Sequence, residues 1–160
     1  MVHYELKVKS VNEREAGKVE IGTKEYIMAK RGSKFCILAT NKSEYCCDVY
    51  IYIHNVLLGC WRVDAHCTLT IKKDIRTDKS FSFDNSYHHI EQGILEADRC
   101  HESSISAEFY PSNNRDLVNH HRKGIYQGTT ASLANHEIDW RKVVHITLPI
   151  MICDHEVVAN

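Results

Sequence analysis

The chain has 160 residues, of which 43% are apolar and 26% are charged, and its 20 basic and 21 acidic side chains leave a net charge of −1. This length fits one folded domain with its own core, and the composition differs from that of a disordered chain. A near-neutral chain lacks the positive charge that drives non-specific nucleic-acid binding, so we expect no nucleic-acid partner. No segment approaches the ~20 apolar residues of a membrane-spanning helix, so we expect no membrane span. The first residues lack the apolar run of a secretory signal, which predicts synthesis in the cytoplasm.

The N-terminal half is predicted to be a series of short strands. Tyr4–Val8 is the first, within an N-terminal arm of residues 1–20. After a turn at Gly22, the segments Glu25–Ala29 and Phe35–Thr40 have the composition of two more strands. This order of short strands and turns already favours a β-sheet protein.

The strongest pattern lies in Cys47–Val63, where apolar residues alternate on both sides of His54-Asn55. It predicts a β-hairpin whose two turn residues adopt positive φ angles. Pairing about this turn gives one aliphatic face, with the pairs Ile53–Val56, Ile51–Leu58 and Val49–Cys60. The other face then carries Tyr50, Tyr52, Leu57 and Trp61. Because both faces are apolar, the second face needs a cover or a partner.

The segment after the hairpin contains two more predicted strands before a less regular region. In Cys67–Ile71 the cysteine, leucine and isoleucine are expected to point inward, and Phe81–Phe83 has two rings on one side of a brief strand. Asp84–Ser103 is predicted to be a loop with at most one helical turn, because Gly93 interrupts its apolar spacing. The first half of the chain therefore contributes most of the predicted sheet.

The last third begins with the alternating strand Ile105–Tyr110, in which Ile105, Ala107 and Phe109 are expected to point inward. The polar residues 111–123 form a predicted exposed loop, and Gly124–Leu133 is a candidate strand. Val143–Ile152 shows the cleanest alternation outside the hairpin. Pro149 falls on the opposite parity, which predicts an edge strand or a bend because proline cannot donate to the ladder.

These elements predict an all-β fold with about eight to nine strands and no internal repeat. Many short strands with few helices are typical of an antiparallel β-sandwich, and a single jelly roll is the expected closure for a domain of residues 1–160.

Catalytic and metal-binding motifs are absent from the sequence. The seven cysteines include no C-x-x-C pair, and the expected state is reduced thiols in the core. Two histidine doublets in predicted loops, His88-His89 and His120-His121, need to converge with Cys100-His101 to hold a metal, and surface histidines are the simpler interpretation. There is no nucleophile elbow, phosphate-binding loop or H-E-x-x-H helix. We therefore predict no enzyme activity, no catalytic residue, no cofactor and no bound metal.

Several short segments resemble small single-jelly-roll proteins of large icosahedral DNA viruses, namely capsid vertex (penton) and minor capsid proteins. The segments are Tyr26 to Met28, Phe35-Cys36-Ile37-Leu38, Cys47 to Val49, Leu58-Gly59-Cys60-Trp61-Arg62, Leu69-Thr70-Ile71, Phe81-x-Phe83, Gly128-Thr129-Thr130 and Ile146-Thr147-Leu148. The resemblance implies a structural protein of the virion without catalytic residues. Its implied partners are copies of itself, in a possible pentamer, and other capsid proteins.

The aromatic rings of the hairpin leave two other interpretations open. Tyr50, Tyr52 and Trp61 form either part of the core or an interface and ligand platform, and the second case includes a lectin-like jelly roll that binds carbohydrate. A cupin-like metal-dependent enzyme is the remaining alternative, although no strand carries an H-x-H ligand pair.

Overall fold

The computed structural model describes residues 3–10, 17–72, 81–83, 100–116 and 133–153. These residues form strands and two 3₁₀ turns, Asn135–Glu137 and Trp140–Lys142, without an α-helix. The strands are β1 (Tyr4–Ser10), β2 (Lys18–Ile21), β3 (Lys24–Lys30), β4 (Lys34–Asn41), β5 (Cys47–Ile53), β6 (Val56–Val63), β7 (Cys67–Ile71), β8 (Phe81–Ser82), β9 (Cys100–Pro111) and β10 (Val144–Cys153). The all-β prediction is confirmed.

The strands form two sheets. The smaller sheet has the order β1-β4-β7, with β8 also paired to β4, and the larger sheet has the order β2-β3-β10-β9-β5-β6. Every pair is antiparallel except β3 with β10, which run parallel from the pair Ile27–Ile150 onward. The larger sheet is therefore mixed, and the expectation of a wholly antiparallel arrangement is wrong at this pair.

One core joins the two sheets, as expected for a β-sandwich. The Tyr4 ring of the smaller sheet stacks on Phe109 of the larger sheet with a centroid distance of 4.8 Å. Phe35 stacks on Phe83 at 4.0 Å and on Phe81 at 5.5 Å, so both rings predicted on one side of the brief strand do face the core. Alternate residues of the long strands supply the rest, because successive side chains in a strand point to opposite faces. The jelly-roll connection of these strands stays a prediction.

The central hairpin is present, but a β-bulge changes its pairing after the first residues. His54 and Asn55 have φ angles of 47° and 66°, as the two-residue turn requires. The pair Ile53–Val56 forms as predicted, yet a register shift next to Ile51 places Ile51 opposite Gly59. The predicted pairs Ile51–Leu58 and Val49–Cys60 are therefore wrong by one residue, because a bulge adds one residue to one strand.

Other strand bounds differ from the sequence prediction in a few places. The segment Lys18–Ile21 forms β2 and pairs with β3, whereas it was expected to be part of a polar arm. β9 begins at Cys100, inside the predicted loop, and Cys67 is exposed rather than buried. Pro149 is the last residue of β10 before the strand gains β3 as its second neighbour. Residues 124–132 of the candidate strand, residues 84–99 of the predicted loop Asp84–Ser103 and residues 117–123 of the predicted exposed loop lie outside the described residues.

The cysteines are in two states. Cys36, Cys46, Cys47 and Cys60 form no disulfide and are buried, in agreement with the expected core thiols. Cys153 is disulfide-bonded, so the prediction of reduced thiols throughout is wrong. This cysteine ends β10, where its Cα atom faces that of Cys100 across the β9–β10 ladder.

Candidate functional site

The structure separates the three aromatic residues that the sequence grouped together. Trp61 lies in the core with 1% of its surface exposed and pairs with Val49 across the hairpin. Tyr50 and Tyr52 lie on the opposite, outer face of β5 and are half-buried. The bulge explains why Trp61 is separated from the tyrosines. It shifts the register of β6 by one residue, so that Trp61 lies on the inner face and Cys60 lies opposite Tyr50. A platform of all three rings therefore does not form.

The two tyrosines instead line a pocket with residues that the sequence did not single out. Tyr110 comes from β9, and Trp140 comes from the 3₁₀ turn that follows Asp139. The Tyr110 ring stands at 86° to Tyr50 with centroids 5.3 Å apart, and at 75° to Trp140 with centroids 5.7 Å apart. This aromatic pocket has a volume of about 210 Å³. Besides Tyr50, Tyr52, Tyr110 and Trp140, the described residues that line it are Glu108, Leu133, Asn135 and Ile138.

Residues 133–142 form one wall of the aromatic pocket. A buried ion pair fixes this wall to the sheet. Arg62 Nε donates to Asp48 Oδ1 at 2.5 Å, and the two side chains are only 7% and 3% exposed. The second oxygen of Asp48 accepts a hydrogen bond from the backbone N–H of Leu133 at 2.6 Å. This segment covers part of the outer face, which is the cover that the two-sided apolar hairpin required.

Further backbone contacts hold the same wall in place. The N–H of Asp139 donates to the carbonyl of Pro111, and the N–H of Asn113 donates to the carbonyl of Glu137, both at 2.9 Å. The indole N–H of Trp140 donates to the carbonyl of Asn135 at 2.9 Å, which fixes the ring at the rim of the pocket. Trp140 nevertheless keeps 55% of its surface exposed.

Among the described residues that line the aromatic pocket, Glu108 is the only one with an acidic side chain. Its Oε1 accepts the Tyr52 hydroxyl at 2.8 Å, and its Oε2 lies 3.5 Å from Nδ1 of His145. Burial raises the pKa of the Tyr52 hydroxyl, and the hydrogen bond to Glu108 raises it further. Burial followed by the charge of Glu108 also raises the pKa of Tyr110. Both hydroxyls are therefore neutral at physiological pH.

A second, more polar pocket continues the first along the outer face. It has a volume of about 320 Å³ and shares Tyr52 and Glu108 with the aromatic pocket. Its other lining residues are Asn55, Ser106, Ala107, His145 and Thr147, and all of them except Ala107 are polar. The hydroxyls of Ser106 and Thr147 lie 3.3 Å apart across the β9–β10 pair.

Part of this site follows from the sequence. Because Ile105, Ala107 and Phe109 were predicted to point inward, Ser106, Glu108 and Tyr110 had to point outward on the same strand. What the sequence does not contain is the pairing of β5 with β9, which places Glu108 opposite Tyr50. Trp140 lies in a short segment without strand or helix periodicity, so no pattern indicates its position.

The described residues contain no group of three histidine, cysteine or acidic side chains that could hold a metal ion. The histidine doublets considered above lie outside the described residues. In the described part of the chain, no helix is both long and apolar enough to cross a membrane. Comparisons with protein-family models, with curated proteins and with solved structures find no match.

Proposed function

We propose that this protein is a structural subunit of a viral capsid, at a vertex or as a minor component, and that it assembles with copies of itself and with other capsid proteins. The observation that carries the proposal is the presence of exposed apolar side chains at both edges of the larger sheet. The proposal involves no catalytic step, and the place of the protein is the virion.

The two edges carry different apolar groups. On β2, which is one edge strand of the larger sheet, Ile21 is 49% exposed. On β6, the opposite edge strand, Val56 and Leu57 are 38% and 37% exposed. A ring of identical subunits uses heterologous contacts, in which one patch meets a different patch on the next copy. Two distinct patches on opposite edges of one sheet suit such side-to-side contacts.

The residues that resemble capsid proteins have a clear structural role. Tyr26, Phe35, Trp61, Ile71 and Phe81 are all buried, so these residues of the segments build the core of the sandwich. They support the β-sandwich part of the proposal. The assembly part rests on the two edges, because contacts between copies need exposed groups.

Native mass spectrometry of the purified chain tests the proposal. We expect closed oligomers for the unmodified protein and loss of these oligomers for Ile21→Lys and for Leu57→Lys. Thr70→Lys is the matched control, since Thr70 is also exposed on a strand but belongs to the smaller sheet. It is expected to assemble as the unmodified protein does.

Mixing the two edge variants distinguishes heterologous from isologous contacts. Ile21→Lys keeps the β6 patch and Leu57→Lys keeps the β2 patch, so an equimolar mixture is expected to give a heterodimer that grows no further. A monomeric unmodified protein at high concentration contradicts the proposal. Assembly that survives both substitutions contradicts the assignment of the contacts to these edges.

A further inference from the structure

The aromatic pocket has walls of different orientation rather than one flat platform. The ring of Tyr110 stands nearly perpendicular to Tyr50 on one side and to Trp140 on the other. A sugar ring stacks best on a flat aromatic surface, whereas a compact cation is attracted to the faces of several rings that surround it. Tyrosine and tryptophan are the aromatic residues suited to such a contact, and both are present.

The charge of the pocket is also that expected for a cation site. Glu108 contributes a carboxylate, and the residues known to line the pocket in the described part of the chain include no lysine or arginine. The two basic residues next to Trp140 are directed toward Asp139: Arg141 Nε lies 3.4 Å and Lys142 Nζ 3.9 Å from its carboxylate oxygens. The raised pKa values of Tyr52 and Tyr110 keep their hydroxyls neutral.

The size of the pocket restricts the ligand further. Its volume of about 210 Å³ is below the range of about 300–1,000 Å³ typical of sites for drug-sized ligands. It therefore suits a small head group rather than an extended molecule. The second pocket beyond Glu108 is open and polar, so it leaves room for the chain to which the head group is attached.

We propose that the pocket of Tyr50, Tyr110 and Trp140 binds an alkylammonium cation, with Glu108 as its counter-charge. This ligand class is separate from the proposed capsid role and does not depend on it. The ammonium group contacts the ring faces, and the carboxylate of Glu108, which Tyr52 orients by its hydrogen bond, balances the positive charge.

Titration of the full chain with choline, followed by NMR or by the fluorescence of Trp140, tests this proposal. The neutral comparison is 3,3-dimethylbutan-1-ol, which has the shape of choline without its charge. We expect choline to bind about tenfold more tightly than this alcohol, within the range of measured cation–π energies. Equal binding of both compounds, or no binding of choline, overturns the proposal.

Two variants locate the site. Glu108→Gln is expected to weaken choline binding about tenfold, because it removes the charge and keeps the shape. Glu102→Gln is the matched control: Glu102 lies on the same strand and also accepts a tyrosine hydroxyl, that of Tyr26 at 2.9 Å, but it is outside the pocket. It is expected to bind choline as the unmodified protein does. An equal effect of both variants contradicts the assignment to this pocket.

A third comparison identifies the source of the cation. Tighter binding of a peptide with a trimethyllysine than of free choline supports a protein partner, and the reverse order supports a small-molecule ligand. Binding of a methyl glycoside that competes with choline and is unchanged in Glu108→Gln overturns the proposal in favour of a saccharide site.

Discussion

The buried pair of Asp48 and Arg62 allows the sharpest prediction about stability. Replacing Arg62 by methionine leaves the Asp48 carboxylate buried, where it still accepts a hydrogen bond from the N–H of Leu133 at 2.6 Å. Removing one member of a buried ion pair costs about 3–5 kcal/mol, because the other charge stays desolvated and uncompensated. For a chain of this size, the loss corresponds to a fall of roughly 10 °C in the unfolding midpoint.

The assay is urea unfolding of Arg62→Met beside the control Lys42→Met. Lys42 and Glu5 form an ion pair with the same 2.5 Å separation, but their side chains are 51% and 35% exposed. Solvent screens such a pair, so the control is expected to unfold close to the unmodified protein. The double variant Asp48→Asn with Arg62→Met should recover much of the loss, because the neutral amide removes the buried charge while its oxygen still accepts the N–H of Leu133.

Two results refute this reasoning. One is a loss in Arg62→Met no greater than that in Lys42→Met, which means that burial does not determine the cost. The other is a double variant less stable than Arg62→Met alone, which means that the uncompensated charge is not the cause. The same unfolding curves also measure how strongly the pocket wall is attached, because Asp48 holds the Leu133 backbone of that wall against the sheet.

Three further predictions concern single side chains. Trp61 is buried and Trp140 is 55% exposed, so Trp140→Phe is expected to leave a blue-shifted emission that acrylamide hardly quenches, and Trp61→Phe a red-shifted, quenchable one; the reverse pattern contradicts the placement. Burial raises the pKa of Tyr4 to about 12 from a usual value of 10. Between these two pKa values the folded state holds the proton that the unfolded state has released. Titration of Tyr4 therefore leaves the free energy of unfolding unchanged below pH 10 and lowers it by about 3 kcal/mol as the pH rises to about 12. Tyr4→Phe is expected to reduce the fall in stability between pH 10 and 12, and an unchanged pH dependence contradicts the raised pKa of Tyr4. Among the five cysteines in the described part of the chain that form no disulfide, only Cys67 is exposed, so Cys67→Ser should abolish the fast phase of thiol labelling, and a fast phase that persists contradicts the assignment.

The strands and their inner faces are the part of the fold that the sequence predicts well. A period of two in Ile105–Tyr110 and in Val144–Ile152 shows which side chains meet the core, because burial of one face fixes the register of a strand. The same pattern fails where the chain adds a residue. Nothing in the order Leu58-Gly59-Cys60 requires a bulge, although Gly59 tolerates the φ angle of 156° that it has there.

The candidate site was harder to predict because it depends on contacts between distant segments. Tyr50 and Tyr52 were placed correctly on the face opposite to Val49 and Ile51, since they alternate with these residues along the strand. Their partners Tyr110 and Trp140 come from other parts of the chain, and only the β5–β9 pairing and the contacts of residues 133–142 bring them together. Strand order in a sheet reflects tertiary contacts that local periodicity does not encode.

Electron microscopy of the purified chain at high concentration tests the central claim most directly. We predict closed rings in which the β2 edge of one copy meets the β6 edge of the next. The resemblance to vertex proteins implies five copies in each ring. A field of single 18.5 kDa particles, or helical filaments in place of closed rings, contradicts the account.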